Sequence, residues 1–185
     1  MLHPLLKPLT EAPAGAVEAL LDDVFGADRH GRTAYALRAG TAPLDPLCFG
    51  AWDGAGAFLG SIQAWPVMLT TDGNAAYPLV MVGPVAITPA LQGIGIGRAL
   101  MAALGAAAER SDDPGAAALM LIGDPEYYGR FGFTDAATGG WSVPGPVERH
   151  RLLARGPRVP VVAGLLGPRV DTAAARRLPS QPALP

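Results

Sequence analysis

The segment of this sequence with the clearest chemical potential is a glycine-rich turn between a predicted strand and a predicted helix. Residues 82–100 read V-G-P-V-A-I-T-P-A-L-Q-G-I-G-I-G-R-A-L, so Gly93, Gly95 and Gly97 alternate where the helix begins. The first turn of a helix has N–H groups without partners and the positive end of the helix dipole, and it therefore binds phosphate. Glycines leave room for a diphosphate to approach the backbone. The pattern predicts a phosphate-bearing ligand at this turn.

The charge of the segment also favours an anion. Residues 88–100 contain no Asp or Glu, and Arg98 lies in the first turn of the predicted helix. A cation there opposes the helix dipole by about 0.3–1 kcal/mol, and a bound anion turns that penalty into a gain.

Three interpretations of the turn compete. In the first, the glycines only permit tight packing. The second is a dinucleotide-binding fold, which requires G-x-G-x-x-G after the first strand and an acidic residue about 20 residues later. Here the turn lies late in the chain, and Leu100 occupies the position of the third glycine. A Walker-type loop is excluded because the chain contains no Gly-Lys-Ser or Gly-Lys-Thr sequence.

The third interpretation rests on the pattern Q-x-x-G-x-G, which follows a strand ending in P-V-A-I-T-P. This arrangement resembles the acetyl-CoA loop of the GNAT superfamily of N-acetyltransferases. The resemblance implies that the loop amides hold the CoA pyrophosphate and that the preceding strand lends its backbone to the pantetheine arm. The implied cofactor-binding residues are Val85, Ala86, Ile87, Gln92, Gly93, Ile94, Gly95, Ile96, Gly97 and Arg98.

Pro84 supports the third interpretation independently of the glycines. Proline has no backbone N–H, so it interrupts the hydrogen-bonded ladder of a sheet. An interrupted ladder lets neighbouring strands splay and frees backbone groups for a ligand. We therefore expect neighbouring strands to splay near Pro84.

A second motif lies about 30 residues after the glycine-rich turn. Residues 123–133 read G-D-P-E-Y-Y-G-R-F-G-F, with Tyr128 four residues before the pair Gly132 and Phe133. GNAT proteins commonly have a tyrosine at this spacing, and the sequence of the motif is similar to that of the YhbS-like branch. The resemblance implies that Tyr128 is the catalytic acid that protonates the departing CoA thiolate. A phenol of pKa about 10 is protonated at neutral pH and can donate to a thiolate of comparable basicity.

Other side chains near these motifs are expected to have structural roles. Tyr127 is expected to cover the core, and Asp124 is expected to cap the turn that follows it. Glu126 and His30 are candidates for a general base, although each is expected to be an ordinary surface residue. Trp65 is the best candidate for a wall of the acceptor pocket.

The composition indicates the class of protein that carries these motifs. The chain has 185 residues, half of them hydrophobic, which suits one domain with a buried core. A net charge of −2 and an isoelectric point of about 5.9 argue against a nucleic-acid-binding surface. Cys48 is the single cysteine, which excludes an internal disulfide and a Cys/His zinc cluster. No apolar run approaches the roughly 20 residues of a membrane span, and no signal peptide is recognisable.

The hydrophobic pattern then predicts the elements that position the motifs. Helical spacing appears over residues 16–24, with Thr10 as the predicted cap, over 32–38, and again over 100–108. Apolar runs of strand length predict strands over 2–9, 47–52, 58–68, 79–87 and 117–122, with a bend at Pro66 and a further strand within 159–166.

Together these observations define one set of expectations. The fold implied by the resemblance is the GNAT α/β fold, a mixed and mostly antiparallel sheet of six or seven strands flanked by about four helices. One domain is expected over 1–168 and a mobile tail over 169–185. The implied function is transfer of an acetyl group from acetyl-CoA to a primary amine of a small molecule or peptide, by direct attack in a ternary complex. The alternative is a non-catalytic acyl-CoA-sensing module of the same fold. We expect a cytoplasmic monomer or homodimer without metal, nucleic-acid or membrane partners.

Overall fold

One sheet with helices on both faces forms the described part of the protein. The structure is a computed structural model, and it describes residues 4–170. In chain order the elements are β1 (Leu5–Pro8), α1 (Ala16–Phe25), α2 (Thr33–Leu37), β2 (Phe49–Trp52), β3 (Phe58–Thr70), β4 (Ala76–Ile87), α3 (Ile96–Ala108), β5 (Leu119–Ile122), α4 (Pro125–Tyr128), β6 (Trp141–Ser142), β7 (Leu152–Arg155) and β8 (Gly164–Pro168).

The strands follow the order β1-β2-β3-β4-β5-β7, and β8 pairs with both β3 and β6. Every pairing is antiparallel except β4 with β5 and β6 with β8. The predicted fold class, a mostly antiparallel mixed sheet with four helices, is confirmed. Over residues 4–170 the sheet has eight strands, compared with the six or seven expected. The two-residue β6 and the short β7 were not predicted from the sequence.

Alternating side chains of β4 bury both faces of the sheet. Val80 and Val82 pack in the cluster that contains Leu100 of α3. Leu79 and Met81 point to the other face and pack in the cluster that contains Leu37 of α2. The near-continuous apolar run of β4 thus reflects a central strand covered on both sides, as its sequence predicts. The face that carries α1 and α2 is called the α1–α2 face below.

A bulge interrupts the ladder between β3 and β4. The register passes from Ile62 opposite Val85 to Ala64 opposite Val82, so Gly83 and Pro84 together face Gln63. The interruption predicted from Pro84 is therefore confirmed.

The bend predicted at Pro66 is wrong. Pro66 stays in register opposite Val80, and its carbonyl accepts a hydrogen bond from the Arg169 N–H at 3.2 Å. The backbone polar groups of Pro66 therefore face away from β4, and the missing N–H removes no hydrogen bond from that ladder.

Two local predictions also need correction. Thr10 lies in the 3-10 turn Leu9–Glu11, and the N-cap of α1 is Gly15, whose φ of 76° suits a glycine. The strand predicted within 159–166 begins only at Gly164.

Two further findings concern membrane-spanning helices and the predicted tail. No helix of residues 4–170 is long and apolar enough to cross a membrane. Arg169, at the start of the predicted tail, forms an ion pair with Asp113 at 2.7 Å, and residues 171–185 of that tail lie outside the described residues.

Candidate active site

An opening between β4 and β5 is the central feature of the candidate site. These parallel strands pair only through Val80 with Leu119 and Met81 with Met120. Beyond the bulge β4 continues to Ile87 without β5, while β7 pairs with the whole of β5 along its other edge. We call this opening the β4–β5 cleft. The splaying of strands expected near Pro84 is present, since β4 and β5 separate before this residue.

Backbone groups at the end of β4 face this cleft. Thr88 N donates to the carbonyl oxygen of Leu59 at 2.9 Å, which fixes the phase of the antiparallel ladder. Because hydrogen-bonded and non-hydrogen-bonded pairs alternate, Ala86 bonds toward β3 while Val85 and Ile87 point their N–H and C=O groups the other way. The Ile87 carbonyl accepts a hydrogen bond from Gln92 Nε2 at 3.3 Å. Gln92 thus ties the glycine-rich turn to the strand, and the polar groups of Val85 stay accessible from the cleft.

The glycine-rich turn has the geometry of an anion site. Gly93 and Gly95 have φ values of 82° and 101°, and a Cβ added to either would meet nothing within 4 Å. Gly95 caps α3, whose first backbone bond runs from Ala99 N to the Gly95 carbonyl at 3.1 Å. The N–H groups of residues 96–98 therefore lack intrahelical partners. The first turn contains no acidic residue, so the positive end of the helix is uncompensated.

The side chains of the turn have different surroundings. Ile96 is buried in the core beneath α3 and anchors the turn, so only its backbone can meet a ligand. Ile94 and Arg98 are exposed, and a ligand bound at the turn can contact both side chains.

The short helix α4 carries the two adjacent tyrosines. Asp124 caps it, since its Oδ1 accepts a hydrogen bond from Glu126 N at 2.9 Å, and this prediction is confirmed. Tyr127 and Tyr128 meet edge to face, with ring centroids 4.9 Å apart. The hydroxyl of Tyr127 reaches the first turn of α3 beside Gly97, a location that its sequence spacing did not indicate. Tyr127 therefore contacts the predicted cofactor turn besides covering the core.

Tyr128 is enclosed by its neighbours. Its ring packs edge-on against Phe133, and a Cβ on Gly123 would overlap that ring, so only glycine fits there. Burial raises the pKa of Tyr128 to about 12, with Tyr127 adding to the effect. The phenol is protonated at neutral pH as expected, but it is a weaker acid than the sequence alone predicts.

The remaining candidates lie outside this cluster. Glu126 and His30 are exposed, in keeping with the expectation for both, and His30 packs on Tyr35 at 4.7 Å between ring centroids. Trp65 is half-buried on the α1–α2 face, close to Arg38.

Comparison with known proteins identifies the architecture. No protein-family model matches the chain, and no curated protein matches it. Among solved structures, it is similar to the GNAT family N-acetyltransferase YhbS from Escherichia coli in complex with CoA, with 25% identity over 91% of each chain and a TM-score of 0.66. A GNAT family acetyltransferase from Brucella melitensis in complex with acetyl-CoA is 26% identical, over 89% of this chain and 95% of that one, with a TM-score of 0.60. This chain has the GNAT fold. The resemblance to the GNAT superfamily and to its YhbS-like branch is confirmed.

Within the GNAT fold, the predicted cofactor-binding residues of this chain lie on two connected elements, the end of β4 and the beginning of α3. Tyr127 bridges from α4 to that turn, and Tyr128 packs beside Tyr127. The fold therefore brings together both motifs that the sequence separates by about 30 residues.

Proposed function

We propose that this chain is a GNAT-type N-acetyltransferase that moves the acetyl group of acetyl-CoA to a primary amine within a ternary complex. The observation that carries the proposal is the end of β4, where an open cleft meets a helix N-terminus with free N–H groups. Similar GNAT proteins were crystallised with CoA or acetyl-CoA, which supports an acyl-CoA as the cosubstrate. The proposal includes one domain over 1–168, a monomer or homodimer, and a cytoplasmic location.

The glycine-rich turn and the end of β4 hold acetyl-CoA in this proposal. The amides of residues 93–98 donate to the pyrophosphate, which gives the free N–H groups partners and compensates the charge of Arg98. Gln92 N already donates to the Pro89 carbonyl at 3.3 Å, so Gln92 contributes through the side chain that ties the turn to β4. Val85 and Ile87 offer backbone groups to the amides of the pantetheine arm. Ala86 keeps its ladder bonds to β3 and so fixes the position of the strand.

The chemistry follows from that placement. The amine nitrogen attacks the thioester carbonyl carbon, and binding both partners in one cleft supplies the orientation. A backbone N–H in residues 85–87 stabilises the negative charge on the carbonyl oxygen. As the carbon–sulfur bond breaks, Tyr128 gives its proton to the sulfur, and the proton released by the amine passes to water. The products are an N-acetylated amine and CoA, and the phenolate of Tyr128 regains a proton from solvent.

Thermal unfolding with separate additions of acetyl-CoA, CoA, NAD and ATP tests the cosubstrate. A ligand at 100 times its dissociation constant stabilises by about 2.7 kcal/mol, which shifts the midpoint by several degrees for a domain of this size. We expect a shift with both CoA species. No shift with either would overturn the proposal, and a shift with only NAD or ATP would favour a nucleotide-binding domain.

A second candidate is an acyl-CoA-sensing module of the same fold. The raised pKa of Tyr128 favours this module, because a protein that binds acetyl-CoA without turnover does not need a strong proton donor. Such a module would bind acetyl-CoA but would release no CoA from it with any amine.

A further inference from the structure

A buried arginine without an acidic partner lies on the α1–α2 face. Arg38 is only 8% exposed, and among residues 4–170 no carboxylate pairs with it. Its guanidinium carbon is 3.8 Å from the ring centroid of Tyr35 and 4.3 Å from that of Trp65. Its Nη1 donates to Gln63 Oε1 at 3.3 Å. Two aromatic rings and one neutral amide thus surround a full positive charge.

The nearby acidic side chains are already engaged. Glu18 and Asp22 both pair with Arg29, which is 2% exposed. Arg29 also donates to the hydroxyl of Tyr35. Burial lowers the pKa of Arg38 by more than Tyr35 and Glu18 raise it, as expected for a cation that has lost water without forming an ion pair. A buried charge without a partner is strongly destabilising, so an anion from outside the chain would compensate it.

Two further buried polar atoms on the face of β3 that Arg38 contacts lack hydrogen-bond partners in residues 4–170. These are Ser61 Oγ and Trp65 Nε1. Alternation along β3 places Ser61, Gln63 and Trp65 on one face, the face that Arg38 contacts. Buried polar groups nearly always have partners, so this group of orphaned atoms calls for an explanation. The hydroxyl of Ser61 and the indole N–H of Trp65 can both donate a hydrogen bond, and hydrogen-bond donors suit an oxyanion.

The position of this cluster relates it to the cleft. Gln63 lies directly opposite the bulge formed by Gly83 and Pro84, where β4 leaves β5. The cluster is therefore one strand away from the start of the cleft. It lies on the opposite face of the sheet from α3, whose first turn is the proposed phosphate site. A second substrate can thus approach from the α1–α2 face while acetyl-CoA occupies the α3 side.

We propose that Arg38, together with Trp65, binds a carboxylate of the acceptor, and that the acceptors are therefore primary amines carrying a carboxylate, such as amino acids. This inference rests on the proposed function. The guanidinium and the indole N–H donate to the carboxylate oxygens. The rings of Tyr35 and Trp65 exclude water from the pair and so strengthen it. Arg38 is a specificity-determining residue here, since it orients the acceptor and takes no part in proton transfer.

Matched amines test this specificity. Each carboxylated amine is paired with its counterpart lacking the group: β-alanine with ethylamine, 4-aminobutyrate with propylamine, and phenylalanine with phenethylamine. CoA release from acetyl-CoA gives kcat/KM for each. We expect the wild type to prefer at least one carboxylated member by about 10- to 100-fold, the range for a charged hydrogen bond. Aminoethylphosphonate, compared with β-alanine, distinguishes a carboxylate site from a phosphate site, and a preference for the phosphonate would overturn the inference.

The variants separate specificity from structure. Arg38→Met should abolish the preference by raising KM for the carboxylated member much more than KM for its counterpart, and Arg38→Lys should restore part of it. Trp65→Phe keeps an aromatic ring but removes the donor, and should weaken the preference. Trp141→Phe is its matched control, because Trp141 Nε1 is also buried without a partner, whereas within residues 4–170 the rings against the Arg38 guanidinium are those of Tyr35 and Trp65. If Arg38→Met fails to fold, the two tryptophan variants still decide the question.

A binding measurement keeps this inference distinct from the proposed function. Thermal shifts by 4-aminobutyrate and phenylalanine, in the presence of CoA, are compared between the wild type and Trp65→Phe or Arg38→Met. Shifts that depend on these side chains without any acetylation would retain the carboxylate site and overturn the acetyltransferase. Acetylation without any carboxylate preference would overturn the inference and leave the acetyltransferase in place. The absence of both a thermal shift and a carboxylate preference would also overturn the inference.

Discussion

The hydroxyl oxygen of Tyr127 lies 2.9 Å from the position that a Cβ atom would take on Gly97. Gly97 is the second residue of α3, so the phenol ends against the turn whose N–H groups lack partners. The contact links the helix that carries Tyr128 to the turn proposed to hold the pyrophosphate. A substitution of Gly97 should therefore alter the position of Tyr127, and a substitution of Tyr127 should alter the surroundings of Gly97.

This contact predicts coupling between two substitutions. Gly97→Ala places a methyl group against the Tyr127 hydroxyl, so the contact between α4 and the turn must shift. We expect acetyl-CoA to bind about 3- to 10-fold more weakly, within the range of coupled contacts. Tyr127→Phe removes the obstructing oxygen, so the double variant should bind better than the Ala variant alone. Calorimetric titration with acetyl-CoA measures all four proteins. Since alanine is favoured over glycine in a helix by about 1 kcal/mol, unfolding stability should not fall. Strictly additive affinities would contradict the contact.

Removal of one hydroxyl tests the proposed acid. Tyr128→Phe retains the ring that packs on Phe133 and should lower kcat by about 10²-fold, the lower end of the range for general acids. The dissociation constant of acetyl-CoA should stay the same. Tyr77→Phe, at the start of β4, is the matched control for loss of a half-buried tyrosine hydroxyl. Unchanged turnover in Tyr128→Phe would remove Tyr128 from this role.

The raised pKa of Tyr128 predicts how the protein responds to alkaline pH. Its folded pKa of about 12 exceeds the unperturbed value of about 10. The folded chain therefore retains a proton that the unfolded chain loses, and stability should decline as the pH rises from about 10 to 12. Tyr128→Phe should lack this component of the decline when denaturant unfolding is followed across that window. Below about pH 10, kcat should show no loss from ionisation of this phenol, and a Tyr128-dependent fall near neutral pH would contradict the assignment.

A pair of glycines separates backbone conformation from ligand binding. Gly95 and Gly56 have φ values of 101° and 88°, and a Cβ on either would meet nothing within 4 Å. Each change to alanine should cost about 1–2 kcal/mol of unfolding free energy, the penalty for a side chain in left-handed backbone. Only Gly95→Ala should also weaken acetyl-CoA binding, because Gly56 lies in the turn between β2 and β3. Equal loss of affinity in both would show that the glycine-rich turn has no special role.

Local sequence patterns predicted the parts of the site that depend on neighbours in the chain. The strand–turn–helix around Gly95 and the capped turn at Asp124 are such parts, because caps, glycines and hydrophobic periodicity act over a few residues. β7 was missed because a strand as short as Leu152–Arg155 is defined by its pairing with β5. A four-residue apolar segment carries too little periodicity to predict it.

Long-range packing determined the features that the sequence did not indicate. A lone arginine at the end of a short helix normally lies in solvent, but Arg38 is buried against Gln63 and Trp65, far along the chain, as well as against its neighbour Tyr35. The direction of the Tyr127 side chain likewise follows from how α4 docks beside α3. Such placements depend on tertiary contacts, and no residue spacing records them.

The position of β8 has a consequence for how molecules of this protein meet one another. β2 pairs with β3 up to Ile62, and β8 pairs with Val67 to Thr70 on the same strand. Leu166 of β8 is buried, so this segment is held by side-chain packing as well as by backbone bonds. Without β8, a row of apolar residues with unpaired amides and carbonyls would become an open template for strand addition. β8 therefore covers this part of β3 and prevents its pairing with a strand of another molecule, which would lead to polymerisation.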